Sequence, residues 1–180
     1  GYSFSKAHSA SYAVESFQSL YLKAHFPLEF MVAVINNFGG FYRTWVYVHE
    51  ARRCGAAIHP PCVNKSTYKT TIYGSDIYIG LIHIQSLEEK LARSVEVIRN
   101  EGGLFTSLND FVDRVCPGLE QLILLIRTGA FRFTGKKKAV LLWEAHMAIN
   151  GIRHENIRPL FLQPVRSFTL PDLIHDKLDD

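Results

Sequence analysis

The chain holds 180 residues, 47% of them hydrophobic, with a formal net charge of +3. That is enough for one domain or two small ones with a real core, and a charge this mild permits nucleic-acid binding without requiring it. No apolar run approaches the roughly 18 residues of a membrane-spanning helix, and Cys54, Cys62 and Cys116 are odd in number and lack CxxC spacing, which argues for reduced thiols in a cytoplasm rather than a disulfide framework or a zinc site. There is no charged-then-apolar leader and no initiator Met, so a segment of a longer protein is expected.

The first element is a long helix across Gly1–Pro27. Ala10, Ala13, Val14, Phe17, Leu20, Tyr21 and Ala24 follow the i, i+3, i+4, i+7 rhythm of a buried face. His8, Tyr12, Glu15 and Ser19 fall on another face, and Lys6 sits near the helix start, where backbone N–H groups and the dipole favour anions. Lys and His suit a triphosphate and Tyr a flat ring; an ordinary polar surface helix fits the same spacing. Pro27 suits the first turn of a second helix, apolar nearly all round through Asn37 and so expected to be buried. Asn36–Gly40 is a loop, and a third helix is expected over Tyr42–Cys54, with Phe41, Trp45 and Val48 on one side and Gly55 after its end. Arg43, Arg52 and Arg53 decorate it, and His49-Glu50 lacks the second His of a zinc-peptidase motif.

Ala56–Val63, with Pro60-Pro61, is extended. Tyr68–Ile72 and Ile77–Leu81 alternate as strands about a turn at Gly74-Ser75. Ser86 with Glu89 has the spacing of a capping box before a stripe of Leu87, Leu91, Val95 and Ile98 that stops at Gly102-Gly103. Ser107 with Asp110 repeats the capping pattern before Leu108, Phe111, Val112 and Val115. After Pro117-Gly118, the apolar Leu119–Arg127 should lie at the centre of this half, closed by Gly129, and a last helix is expected over Lys136–Ile149. Arg127, Arg132, Lys136, Lys137 and Lys138 form the strongest basic cluster; three lysines at a helix start oppose the dipole, a small cost that phosphate would relieve and that solvent also tolerates. Gly129 to Gly135 is one residue too long for a P-loop, and Lys137 stands where Ser or Thr would follow. Ile152–Asp180 carries Pro159, Pro164 and Pro171, with Phe161, Val165, Phe168 and Leu170 as staples of an extended tail.

Lys6-Ala7-His8-Ser9-Ala10-Ser11-Tyr12 and Leu22-Lys23-Ala24-His25-Phe26-Pro27-Leu28-Glu29-Phe30-Met31 resemble the fingers of the alpha subunit of bacterial DNA polymerase III, which carries Lys-[Ser/Ala]-His-[Ser/Ala]-x-x-Tyr and Leu-Lys-Ala-His-[Tyr/Phe]-Pro-Leu-Glu-Phe-Met. Glu50–Gly55, Pro60-Pro61-Cys62-Val63-Asn64-Lys65-Ser66 and Gly80-Leu81 continue the resemblance, with Cys62 in place of the usual Asp. Phe105–Phe111 and Leu122-Ile123 through Gly129-Ala130-Phe131 are similar to the landmarks of that family's tandem helix-hairpin-helix region. Its first hairpin usually reads Ile-Lys-Gly-x-Gly; here Ile84-Gln85-Ser86-Leu87-Glu88 has lost both glycines, and Glu88-Glu89 opposes phosphate.

The resemblance implies a mainly α fold: helical fingers over 1–66, a short β-hairpin and a helix-hairpin-helix bundle over 67–150, and an extended linker over 151–180. It implies a parent enzyme that makes DNA from dNTPs with Mg2+ on palm carboxylates absent from this chain, leaving the chain inactive alone. Lys6, His8 and Tyr12 would meet the incoming nucleotide; Lys90, Arg93, Arg132, Lys136, Lys137 and Lys138 would meet DNA. Partners would be primer-template DNA, dNTP and the other holoenzyme subunits, including the sliding clamp. The alternatives are a non-enzymatic helix-hairpin-helix DNA-binding module and an interaction scaffold with a degenerate hairpin.

Overall fold

The computed structural model describes the main chain of residues 6–155 and the side chains of 8–149. Two compact units emerge: residues up to His59 with Thr70–Ile79, and Pro60–Lys69 with the chain from Gly80 onward. Packing therefore divides the chain elsewhere than at the expected 66/67 boundary. The β-hairpin belongs with the first helices, and the Pro-Pro segment belongs with the later ones.

In the first unit, α1 (Lys6–His25) ends one residue before α2 (Pro27–Asn36), which has Pro27 in its first turn. The apolar flank expected to be buried along α1 is exposed: Phe17 is 72% and Leu20 67% accessible. Periodicity marks which side of a helix is apolar; burial needs a second layer. Within this unit α1 meets α2 and holds Glu50 through Lys23 at 4.0 Å, and the described residues lay nothing along Val14, Phe17 and Leu20. Nor is α2 buried all round; only Met31, Val32 and Ile35 are.

α3 (Thr44–Arg53) is shorter than expected, and its packed side is Tyr47 and Ala51 rather than Trp45. The sheet has the order β1-β3-β2, with β1 (Ala57–His59) parallel to β3 (Asp76–Tyr78), and β2 (Thr71–Tyr73) antiparallel to it. Gly74, at φ 62, opens the expected turn. The small core joins Met31, Val32, Ala51, Ala56 and Ile77, with Ile58 and Ile72 flanking. Asn36 ties α2 to the hairpin: its amide donates to the Thr70 carbonyl at 2.8 Å and accepts from the Thr70 N–H at 2.7 Å.

The second unit is built from α4 (Glu89–Gly102), α5 (Leu108–Val115), α6 (Leu119–Arg127) and α7 (Lys138–Glu155). α7 runs on past Ile149, so Ile152–Glu155 is helical and not the start of an extended tail; the remainder of the expected linker lies outside the described residues. Leu122, Leu125 and Ile126 are fully buried, as the apolar run of α6 requires. Phe111 sits edge-on between Phe105 at 4.9 Å and Phe131 at 5.0 Å, so three rings form the centre of the core.

Pro60–Lys69 is a strap across this core, and here the Pro-Pro-x-Val-Asn-x-Ser pattern acquires a physical meaning. Val63 is buried and its N–H donates to the Ala130 carbonyl. The Asn64 amide takes both backbone groups of Phe105, each at 2.8 Å. Ser66 is buried, and its Oγ accepts the Cys62 N–H. Arg99 reaches from α4 to donate to the carbonyls of Val63 and Ser66 at 2.8 Å. Arg114 caps the end of α4 in the same way, donating to the Ile98 and Gly103 carbonyls at 2.9 Å.

Of the two expected capping arrangements, the second forms. Ser107 Oγ accepts the Asp110 N–H at 3.1 Å, and Asp110 Oδ2 returns the favour by accepting the Thr106 N–H at 2.8 Å. That backbone bond, then Arg114 and the Thr106 hydroxyl, hold the Asp110 carboxyl below its ordinary value against the opposing effect of desolvation. A lowered folded value means stability that is complete above the ordinary carboxylate range and lost as pH falls through the lowered one. Melting temperatures followed from about pH 5 downward should fall less steeply in Asp110→Asn than in wild type; parallel curves would remove this carboxylate from the cap.

Candidate nucleic-acid interface

Three helices of the second unit start alike. Ser86 (φ 65), Cys116 (φ 50) and Gly135 (φ 68) each occupy the left-handed region, and each stands three residues before the first residue of α4, α6 or α7. A left-handed residue turns the chain sharply ahead of the next helix, whose first N–H groups lack partners within the helix.

The first start departs most from expectation. Ser86 does not cap α4; the N-cap is Glu88, with no side-chain capping bond, because a residue in the left-handed region cannot take the extended N-cap geometry. The turn keeps its left-handed backbone without glycine, at a cost of about 1–2 kcal/mol for a non-glycine residue. Its polar groups are then taken by Gln121 of α6. The Gln121 Oε1 accepts the Glu88 N–H at 2.9 Å, and its Nε2 donates to the Ser86 carbonyl at 3.3 Å. The Glu88 N–H is thus already bonded within the fold, beside the carboxylates of Glu88 and Glu89.

Lys90 and Arg93 follow on α4. Lys90 lines a cleft of about 340 Å³ with Glu88, Ser94, Cys116, Gly118 and Gln121, where the starts of α4 and α6 face each other. Arg93 is engaged locally: its Nε donates to Glu89 at 2.8 Å and its guanidinium lies 4.0 Å over the Tyr68 ring. The Glu89 hydrogen bond, with the nearby carboxylates, raises its pKa still further.

The third start gathers the remaining basic residues. Arg127 ends α6, Arg132 folds back to donate to the Gly129 carbonyl at 2.9 Å, and Lys136 pairs with Glu144 at 2.5 Å. Lys137 is exposed with no acidic partner among the described residues, and Lys138 opens α7. Among the three starts, this one combines glycine at the left-handed position with lysines. The cleft and this basic turn lie at opposite ends of α6, whose nine residues span roughly 13 Å at 1.5 Å per residue.

On α1, His8 and Tyr12 are brought together, their rings edge-to-face at 4.7 Å on an accessible side of the helix. Lys6 opens the helix, and its side chain lies outside the described residues. The described residues contain no group of three His, Cys, Asp or Glu side chains able to hold a metal ion. None of their helices is long and apolar enough to cross a membrane.

Gln121, Asn64, Arg99 and Arg114 organise the unit and were not singled out by sequence reasoning for these roles. Only Asn64 left a trace, inside the Pro-Pro-x-Val-Asn-x-Ser pattern.

A helix-hairpin-helix motif family matches residues 55–141. The chain is 32% identical over 156 residues to the DNA polymerase III subunit alpha of Saccharopolyspora erythraea, covering 84% of this chain and 13% of that protein. It is 33% identical over 144 residues to the corresponding subunit of Thermus aquaticus, covering 78% and 12%. An error-prone DNA polymerase of Bdellovibrio bacteriovorus is 35% identical over 147 residues, covering 79% and 14%. The chain therefore spans a small part of the length of the relatives it matches.

Proposed function

The chain belongs to the family of bacterial DNA polymerase III alpha subunits, and from that premise we propose that it serves template-directed DNA synthesis by holding duplex DNA through its second unit and meeting the incoming nucleotide through α1. The observation that carries the duplex reading is the start of α7, where Gly135, Lys137 and Lys138 offer a glycine turn and positive charge at a helix N-terminus. Backbone N–H groups and lysines there neutralise phosphates without reading sequence. On α1, His8 and Tyr12 stand as a pair suited to a phosphate and a base face, with Lys6 at the helix start. The palm carboxylates and their Mg2+, the dNTP, the clamp and the other holoenzyme subunits belong to this proposal for the whole enzyme.

A second reading, an interaction scaffold that touches no DNA, is favoured by one observation: Gln121 occupies the Glu88 N–H in the first hairpin, next to Glu88 and Glu89. The two readings part in one experiment. The 180-residue chain is titrated with a fluorescent primer-template duplex across a salt series, as wild type and as the Lys136→Gln, Lys137→Gln, Lys138→Gln triple variant. The duplex reading expects affinity falling steeply with salt, and a log–log slope shallower by about 0.9 for each phosphate contact removed. Binding absent at low salt, or unmoved by the triple variant, would reject it.

A further inference from the structure

In the first unit, the chain between α2 and α3 projects aromatic rings into solvent. Phe38 is held at φ 60, a conformation unfavourable for a bulky residue. Gly39 follows at φ +81, and a Cβ there would lie 2.7 Å from both the Tyr47 ring and the Tyr42 carbonyl oxygen. The Tyr47 hydroxyl accepts the N–H groups of Gly40 and Tyr42 at 3.2 and 3.4 Å. Tyr47 packs against the core of the unit, so the loop is mounted on a fixed post. The result is Phe41 at 93% exposure, edge-to-face with Tyr42 at 5.1 Å, and Trp45 at 60% exposure with His49 beside it at 5.7 Å.

The surroundings are cationic. Trp45, His49, Arg52 and Arg53 recur at i, i+4, i+7 and i+8, which places them along one side of α3. Arg43 precedes the helix. Three guanidinium groups stand against one carboxylate on this segment, and that carboxylate, Glu50, already serves Arg53 at 3.4 Å and Lys23 at 4.0 Å. Arg43 and Arg52 have no acidic partner among the described residues.

We propose that Phe41, Tyr42 and Trp45, with Arg43 and Arg52, form a binding surface for single-stranded DNA, the rings stacking on unpaired bases and the arginines meeting the phosphates. Flat exposed rings beside unneutralised cations match a ligand that has aromatic faces and a polyanionic backbone. A duplex hides its base faces in the stack, and the patch offers rings rather than the branched aliphatic side chains of a helix-docking groove. This surface shares no residue with the proposed duplex contact, which uses the second unit alone.

The test uses the 180-residue chain, a labelled twelve-nucleotide oligo-dT, an abasic oligomer of the same length, and a blunt twelve-base-pair duplex, each titrated at low salt. Phe41→Ala/Trp45→Ala removes two exposed rings and should leave the thermal melt unchanged. The oligo-dT affinity should fall at least tenfold in this variant, with duplex affinity moving less than twofold, and the abasic oligomer should bind wild type no better than oligo-dT binds the variant. Arg52→Gln should weaken oligo-dT binding and flatten its salt dependence. Oligo-dT bound equally by wild type and the double variant, an abasic oligomer bound as tightly as oligo-dT, or no oligo-dT binding at low salt would each overturn the proposal. Failure of the duplex titration with the ring-dependent oligo-dT binding intact would remove the second-unit reading alone.

Discussion

Phe111→Ala is expected to cost the second unit about 3–5 kcal/mol, the range for removing a fully buried aromatic ring. Phe111 is inaccessible to solvent and touches Phe105 and Phe131 edge-on, so truncation empties the space between two rings and forfeits both aromatic contacts. Small domains have only about 5–15 kcal/mol of stability in total, so this one change takes a large part of it. Trp143 lies on α7 in the second unit and Trp45 on α3 in the first. In a Trp45→Phe background, urea unfolding followed by Trp143 fluorescence reports the second unit alone. The midpoint should drop sharply for Phe111→Ala and modestly for Phe111→Leu, which keeps most of the volume. A loss under about 1 kcal/mol for the alanine variant would mean that the three-ring centre does not hold this unit together.

Asn64→Ala is expected to be nearly as damaging, for a different reason. The side chain satisfies both the N–H and the carbonyl of buried Phe105 across 41 residues of sequence. Alanine would orphan the two together, at about 1–3 kcal/mol for each buried group left unpaired. Asn64→Asp is the informative companion: it keeps the acceptor for the Phe105 N–H but sets a carboxylate oxygen against the Phe105 carbonyl. Both variants should lower the urea midpoint in the same background, and Asn64→Asp should recover as pH is lowered and its carboxyl regains a proton. An aspartate variant as stable as wild type at neutral pH would show that the amide donor contributes nothing.

What the sequence disclosed follows from the range of the interactions involved. The Ser107 cap, the α4 stripe and the buried α6 run depend on neighbours three to seven residues away, and they are legible as patterns. The Ser86 capping box has the same spacing and does not form, because Ser86 sits in the left-handed region, and Gln121, arriving from 35 residues along the chain, bonds both sides of that turn instead. The same limit hid the grip of Asn64 on Phe105 and the seating of Arg99 under the strap. In the basic cluster, the charges were countable, but Lys136 is committed to Glu144, eight residues away and so beyond the spacing of helical neighbours, and Arg132 to Gly129. For α1, the hydrophobic rhythm marks an apolar side but not a covering layer, and Val14, Phe17 and Leu20 stand exposed.

The strap and the β-hairpin give the chain an unusual itinerary. It leaves the first unit after His59, threads the second through Pro60–Lys69, returns for Thr70–Ile79, and departs again at Gly80. Three covalent crossings in some twenty residues mean that neither unit is a transplantable cassette. Any contiguous excision that takes α4–α7 without residues 60–69 discards Val63 and Asn64 from the core it hopes to preserve; one that keeps them must also carry the β-hairpin that the first sheet needs. Recombination between related proteins is thus constrained to exchange the two units together or to break near neither of them, so sequence changes in the strap and in the hairpin should be inherited as a block.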